Sequence, residues 1–270
     1  MFRTLLFISL LFGSAFGFTR FHEADYDVPY SIDENVQNQI LAATVRITLF
    51  SYLTDSQGNL QYRMVNGNKI TLYIVGEGLG TLTQLEEDAV IVTHDHWTLL
   101  TPNLHKVQFH NAANELLLEV SGEAFQDRIL YRDGGTMVWR APNELLLRRT
   151  PAGVGDGLMV QRNEVVFIAL RKPHSDTLSI AAMRVEKQRF YKGQPVYRIT
   201  GLNGESIVGG DSGGGVWVGG QLVGNIWTTT VEQKISRIEG EVVNSTTTPI
   251  NSALAAQLPP FIESRIFQQP

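Results

Sequence analysis

Short runs rich in Val, Ile, Leu, Thr and aromatic residues recur along the chain, at 44–50, 70–75, 89–93, 115–120, 136–140, 164–170, 197–200, 214–218 and 222–230. Turn-forming groups separate them, among them Asn66-Gly67-Asn68, Asp133-Gly134-Gly135 and Asn203-Gly204. Runs this short, bounded by residues that accept tight or left-handed backbone, pair as strands rather than coil as helices. Their succession, with little helical periodicity, predicts an all-β barrel or sandwich. The exception expected is the tail, where Asn251-Ser252 reads as the cap of a short helix over 253–258 that Pro259-Pro260 stops.

The 270 residues, 43% hydrophobic and 18% charged, supply enough apolar material for one large unit or two small barrels. A formal charge of -5 offers no basic stripe, which argues against a nucleic-acid partner. With no cysteine, disulfides and thiolate metal sites are excluded. The start reads as a signal peptide over residues 1–17: Met1-Phe2-Arg3 is a short positive lead, 5–12 is almost wholly apolar, and Ala15-Phe16-Gly17 puts small residues where a signal peptidase reads. The rival reading is a membrane anchor, but the uncharged run from Thr4 to Thr19 falls short of the ~20 residues a spanning helix needs. A secreted, extracellular protein without stable membrane insertion is therefore expected. Residues 18–40, with Glu23, Asp25, Asp27, Asp33 and Glu34, read as an acidic surface lead-in. A boundary near Pro151-Ala152-Gly153 divides 41–152 from 153–270. Asn244-Ser245-Thr246 fits the glycosylation triplet, a pattern common by chance.

The strongest local signal is Gly209-Gly210-Asp211-Ser212-Gly213-Gly214. A serine flanked by glycines sits on a loop that a substrate carbonyl can approach, since no side chain stands in the way. The amide groups of Gly210 and Ser212 are then placed to converge on an oxyanion. The plain alternative is a Gly-rich hairpin turn, for which Gly, Asp and Ser are equally suited.

Residues 210–214 resemble the nucleophile motif of the chymotrypsin-like (trypsin-fold) serine proteases, with the apolar strand 216–218 following as in that family. A second segment, Val90-Ile91-Val92-Thr93-His94-Asp95-His96, is similar to the strand and Thr-x-x-His that present the family's catalytic histidine. It lies upstream, in the order the family uses. The resemblance covers 42–258, with specificity in three short segments. It implies two antiparallel six-stranded β-barrels, with a short C-terminal helix, and an active site between them.

By that resemblance Ser212 is the nucleophile and His96, three residues after Thr93, is the general base. A neutral imidazole takes the Ser212 proton and returns it to the leaving amine. His94-x-His96 on an extended strand also permits a metal-binding reading, but no further ligand cluster supports it; His22, His105, His110 and His174 read as surface or loop residues. The triad acid is expected to be Asp133, preceding the strand 136–140, although Gly134-Gly135 lengthens the family's spacing; Asp127 is the alternative. The resemblance further implies an oxyanion hole from Gly210 and Ser212, a substrate wall at Trp227, Thr228 and Thr229, and Ser206 at the pocket floor, where trypsin has an acidic residue. A neutral Ser206 argues against a strong preference for Arg or Lys. An isolated Trp227 reads more readily as core.

Three features depart from the family: Gly215 replaces the usual proline, cysteines are absent, and the only Ile207-Val208-Gly209-Gly210 runs into the nucleophile loop. Activation by a new N-terminal ammonium pairing with Asp211 is thereby in doubt, and local contacts are expected to set the loop. The sequence reading is a secreted serine endopeptidase acting on protein or peptide substrates, monomeric, without cofactor or metal. The alternatives are an inactive relative that binds peptides or glycans, and a metal-dependent β protein.

Overall fold

The computed structural model describes residues 30–258, apart from 86–87, 100, 147–148, 173–174, 176 and 239–240. The segment 1–17 expected to be a signal peptide, most of the acidic lead-in, His22, His174 and Pro259-Pro260 fall outside the described residues, and so do the side chains of Thr229 and Asn244.

The acidic lead-in ends in a helix, α1 (Glu34–Ala43). Asp33 caps it, its carboxylate accepting the amides of Asn35 at 2.9 Å and Val36 at 3.3 Å. Ile40 and Ala43 on its inner face are fully buried, so this stretch contributes to the core rather than lying on the surface.

The first half carries β1 (Thr44–Tyr52), the hairpin β2 (Tyr62–Val65) and β3 (Asn68–Thr71), β4 (Tyr73–Leu85), β5 (Asp88–Thr93), β6 (Leu104–His110), β7 (Leu116–Ser121), β8 (Ile129–Arg132) and β9 (Met137–Arg140). Seven of these form one sheet in the order β7-β6-β1-β4-β5-β9-β8. One face gathers Val45, Ile47, Leu49, Leu82, Ile91, Val107, Phe109 and Trp139 into a core. The short helix α2 (Gly122–Gln126) fills its open side: Phe125 stacks on Trp139 at 5.3 Å, and the Trp139 indole donates to Phe125 O at 2.7 Å. This sheet stands where the first of the two expected barrels should be, with β7 added at the edge beside β6, and with the closed barrel that follows it is consistent with the expected double-barrel fold.

The second half is a closed barrel, β10 (Val165–Arg171), β11 (Leu178–Tyr191), β12 (Gln194–Gly201), β15 (Glu241–Gln257), β14 (Gln221–Ile238) and β13 (Gly215–Val218), in that order around the wall. The expected tail helix is corrected: 251–257 belongs to β15, with Ala253 opposite Ile199 and Ala255 opposite Tyr197. Alanine's helix propensity amounts to a few tenths of a kcal/mol per residue. It yields to a wall position where Ala253 and Ala255 are buried inside the barrel and Ala256 faces a second apolar cluster.

A separate core joins the halves: Leu79, Val90, Val92 and Val138 from the sheet pack with Ala169, Trp217 and Leu222 of the barrel. The crossing segment is paired to both sides. Ala152 bridges Thr83 and Val154 bridges Leu222, each in parallel. No helix among the described residues is long and apolar enough to cross a membrane.

Candidate active site

The nucleophile loop, 208–214, is held by its own aspartate. Asp211 has no exposed surface; its Oδ2 accepts the Val208 amide at 2.7 Å and its Oδ1 the Arg171 amide at 2.8 Å. Burial pushes its carboxyl up to about 6, against the pull of those two amides and the Arg171 charge. The loop then meets the first sheet. Leu79 N–H donates to Ser212 O at 2.8 Å, while Gly213 N–H returns to Ile226 O of the barrel at 2.7 Å. Gly213 adopts φ +86, and a Cβ there would overlap Leu79 O and the Thr93 hydroxyl and sit 3.0 Å from the His94 ring. Ser212 is half-buried. The amides of Gly210 and Ser212 have no acceptor among the described residues, and no hydrogen bond of the Ser212 hydroxyl is found among them.

β5 delivers the histidines to the same place. Thr93, opposite Gly80 across the ladder, donates its hydroxyl to Leu79 O at 2.6 Å. His94 follows, 3% exposed, with its ring against Trp97 at 4.2 Å. Its Nδ1 accepts the His96 amide at 3.0 Å, which places its own proton on Nε2, a buried atom without a partner among the described residues. Burial first, and then His96, hold the His94 pKa well below the ordinary value, so it is a neutral packing group. His96 opens the turn His96–Leu99 and is exposed, its ring edge-on to His94 at 4.7 Å. Desolvation of its ring and then the Lys192 charge lower its pKa; Asp95 opposes them.

The expected acids lie at opposite ends of β9. Asp133 is at the near end, where Met137 pairs with Thr93. Its carboxylate closes the β8–β9 turn: Oδ1 accepts the amides of Gly135 and Thr136 at 2.9 and 2.7 Å, and Oδ2 the Tyr131 hydroxyl at 2.9 Å. No hydrogen bond links Asp133 to His96 among the described residues. Asp127 caps the C-terminus of α2, beside the end of β9 where Arg140 pairs with Val90. Three residues of strand, roughly 10 Å, separate that end from Thr93. Asp95, which sequence reasoning passed over, is 7% exposed; Arg132 Nε donates to it at 2.6 Å and the Gly134 amide at 3.2 Å, which ties the β8–β9 turn to the histidine segment.

No family model and no curated protein matches this chain. Solved structures do. The HtrA-type protease AlgW with decapeptide superposes at a TM-score of 0.53 and 12% identity, over 87% of this chain and 67% of that one. A substituted form of AlgW with decapeptide gives 0.53 and 11% over 83% and 62%, and AlgW with tripeptide 0.51 and 12% over 87% and 62%. The chain spans about two thirds or less of the length of these proteases. The fold is trypsin-like.

Within this trypsin-like fold, Trp227 is a packing residue, 2% exposed, edge-on to Tyr191 at 5.0 Å and lying against Gly135 of the β8–β9 turn. Thr228 is half-buried and Ser206 exposed. Asn225 escaped the sequence reading. It is fully buried, accepts the Thr136 hydroxyl at 2.8 Å and donates to Gly135 O at 3.1 Å, so β14 is pinned to the same turn. The signal available was a polar residue inside the apolar run 222–226, which demands a partner. Of the two rings the metal reading invoked, His94 accepts the His96 amide at Nδ1, and among the described residues no three His, Asp or Glu side chains are grouped to hold a metal.

Proposed function

We propose that this protein is a secreted serine endopeptidase. Ser212 Oγ attacks the scissile carbonyl while His96 takes its proton; the Gly210 and Ser212 amides stabilise the oxyanion; His96 then protonates the leaving amine, and water, activated by the same imidazole, releases the acyl group. The observation that carries this reading is the meeting of two segments distant in sequence, Ser212–Gly213 against Leu79, Thr93 and His94, beside two amides with no acceptor among the described residues. Asp133 is the proposed acid: its Oδ2 accepts only the Tyr131 hydroxyl among the described residues and keeps a lone pair for the imidazole N–H. Catalytic hydrogen bonds of this kind often tighten only with substrate bound.

A second reading, a trypsin-fold relative that binds peptides without cleaving them, is favoured by the engagement of Asp133 in its own turn. Labelling with a fluorophosphonate separates the two. The endopeptidase reading expects labelling that Ser212→Ala and His96→Ala abolish and that Asp133→Asn slows by ~10⁴-fold with the fold retained. Folded wild-type protein that resists the probe would leave only the binding module.

A further inference from the structure

The loop that presents Ser212 is clamped from two sides. On the barrel side, the end of β10 supplies the Arg171 amide to Asp211. On the sheet side, β4 supplies the Leu79 amide to Ser212 O. One contact ties the clamps together: the Arg171 guanidinium pairs with the Glu77 carboxylate, two residues before Leu79.

That guanidinium also lies over the loop. Gly210 has φ +98, and a Cβ built on it would stand 2.5 Å from Arg171 Nη1 and 3.2 Å from Arg171 Cδ. The preceding Gly209 has open space around it, with nothing within 4 Å of a built Cβ. Two successive glycines permit rotation of the peptide between them at small cost, because glycine accepts either sign of φ. Such a rotation carries the Gly210 N–H away from the direction in which an oxyanion needs it. A side chain packed against Gly210 and held in place by a partner on the other half of the molecule opposes it.

We infer that the Arg171–Glu77 pair is a latch that positions the Gly210 amide for catalysis. The inference rests on the endopeptidase reading and adds to it two positioning residues, neither of which touches the reacting atoms. The pair bridges the two halves, so its worth lies in orientation. Both side chains are partly exposed, at 24% and 48%, where an ion pair adds little stability.

The test uses Arg171→Met, which keeps the aliphatic stem, Glu77→Gln, and the double variant, with melting curves to select folded protein. Fluorophosphonate labelling is expected to slow ~10- to 100-fold in each single variant, less than the ~10²- to 10³-fold of a donor removed outright because the amide is misdirected and not lost. In the double variant it is expected to slow no further, since the pair acts as one unit. Single variants that label at the wild-type rate, or effects that multiply in the double, overturn the latch. Amide hydrogen exchange across 208–214 provides a readout independent of chemistry. It accelerates in both single variants if the pair holds the loop and is unchanged if it does not. Wild-type protein that is never labelled sinks the endopeptidase reading alone and leaves the exchange result to judge the latch.

Discussion

The proposed general base, His96, works in its unprotonated form, and its surroundings decide where on the pH axis that form appears. Desolvation and the Lys192 charge both disfavour the imidazolium, and Asp95 only partly restores it. The acid limb of kcat/KM is therefore expected below ~6.5, the value of an unperturbed histidine. Removing a positive neighbour raises the pKa, so Lys192→Met should move that limb to higher pH without altering the plateau. A pH–rate profile checks this, and a limb that stays in place would show that the hairpin tip carries no influence on the base. Legibility at this scale follows chemistry. Gly213 stands out in the sequence because its close approach to Leu79 and Thr93 leaves few other residues possible, and Ser212 and His96 because the proposed reaction needs those residue types. Asp133 is less legible, since an aspartate that closes a turn and one that orients an imidazole precede a strand in the same way. The burial of His94 was invisible, because a polar residue after a strand normally faces water.

At the scale of elements, many strands were readable as β-branched runs between turns, but β6, β8 and the long β11, with its charged Arg184, Glu186, Lys187 and Arg189, were not. β15 was not, since its alanines carry no strand signal of their own and are placed by Tyr197, Ile199 and the closed wall. α1 was missed for the converse reason: Asp33, Glu34 and the Asn and Gln residues that follow read as solvated surface and hid the buried Ile40 and Ala43. The barrel assignment of 253–257 makes a prediction that a terminal helix would not. Ala255→Leu inserts extra volume at a fully buried position and should cost about 1–3 kcal/mol in urea unfolding. A loss below a few tenths would indicate a surface helix.

For the whole molecule, two buried ionisable groups at the junction of the halves push stability in opposite directions. His94 stays neutral in the fold while an unfolded histidine charges below ~6.5, so its contribution is present above that pH and is lost as pH falls. Asp211 is raised to about 6 in the fold, so its contribution is full below the unfolded value of 3.8 and fades as pH rises through 6, by about 3 kcal/mol in total. Between about pH 4 and 6 the two slopes oppose each other. His94→Gln should unmask the Asp211 slope, with the urea midpoint falling as pH rises through that window. A midpoint that climbs or stays level in the variant would contradict the balance.

The crossing segment has a bearing on how the proposed peptide substrate would enter. The Ala152 amide donates to Leu82 O at 3.0 Å, and the Gly155 amide and Gly153 carbonyl both engage Leu222, at 2.8 and 2.9 Å. A connection stitched to both sides is a seam rather than a hinge, and opening the halves like a jaw would tear it. Whatever adjustment a ligand requires must come from the loops along the cleft, with the two blocks behind them staying in register.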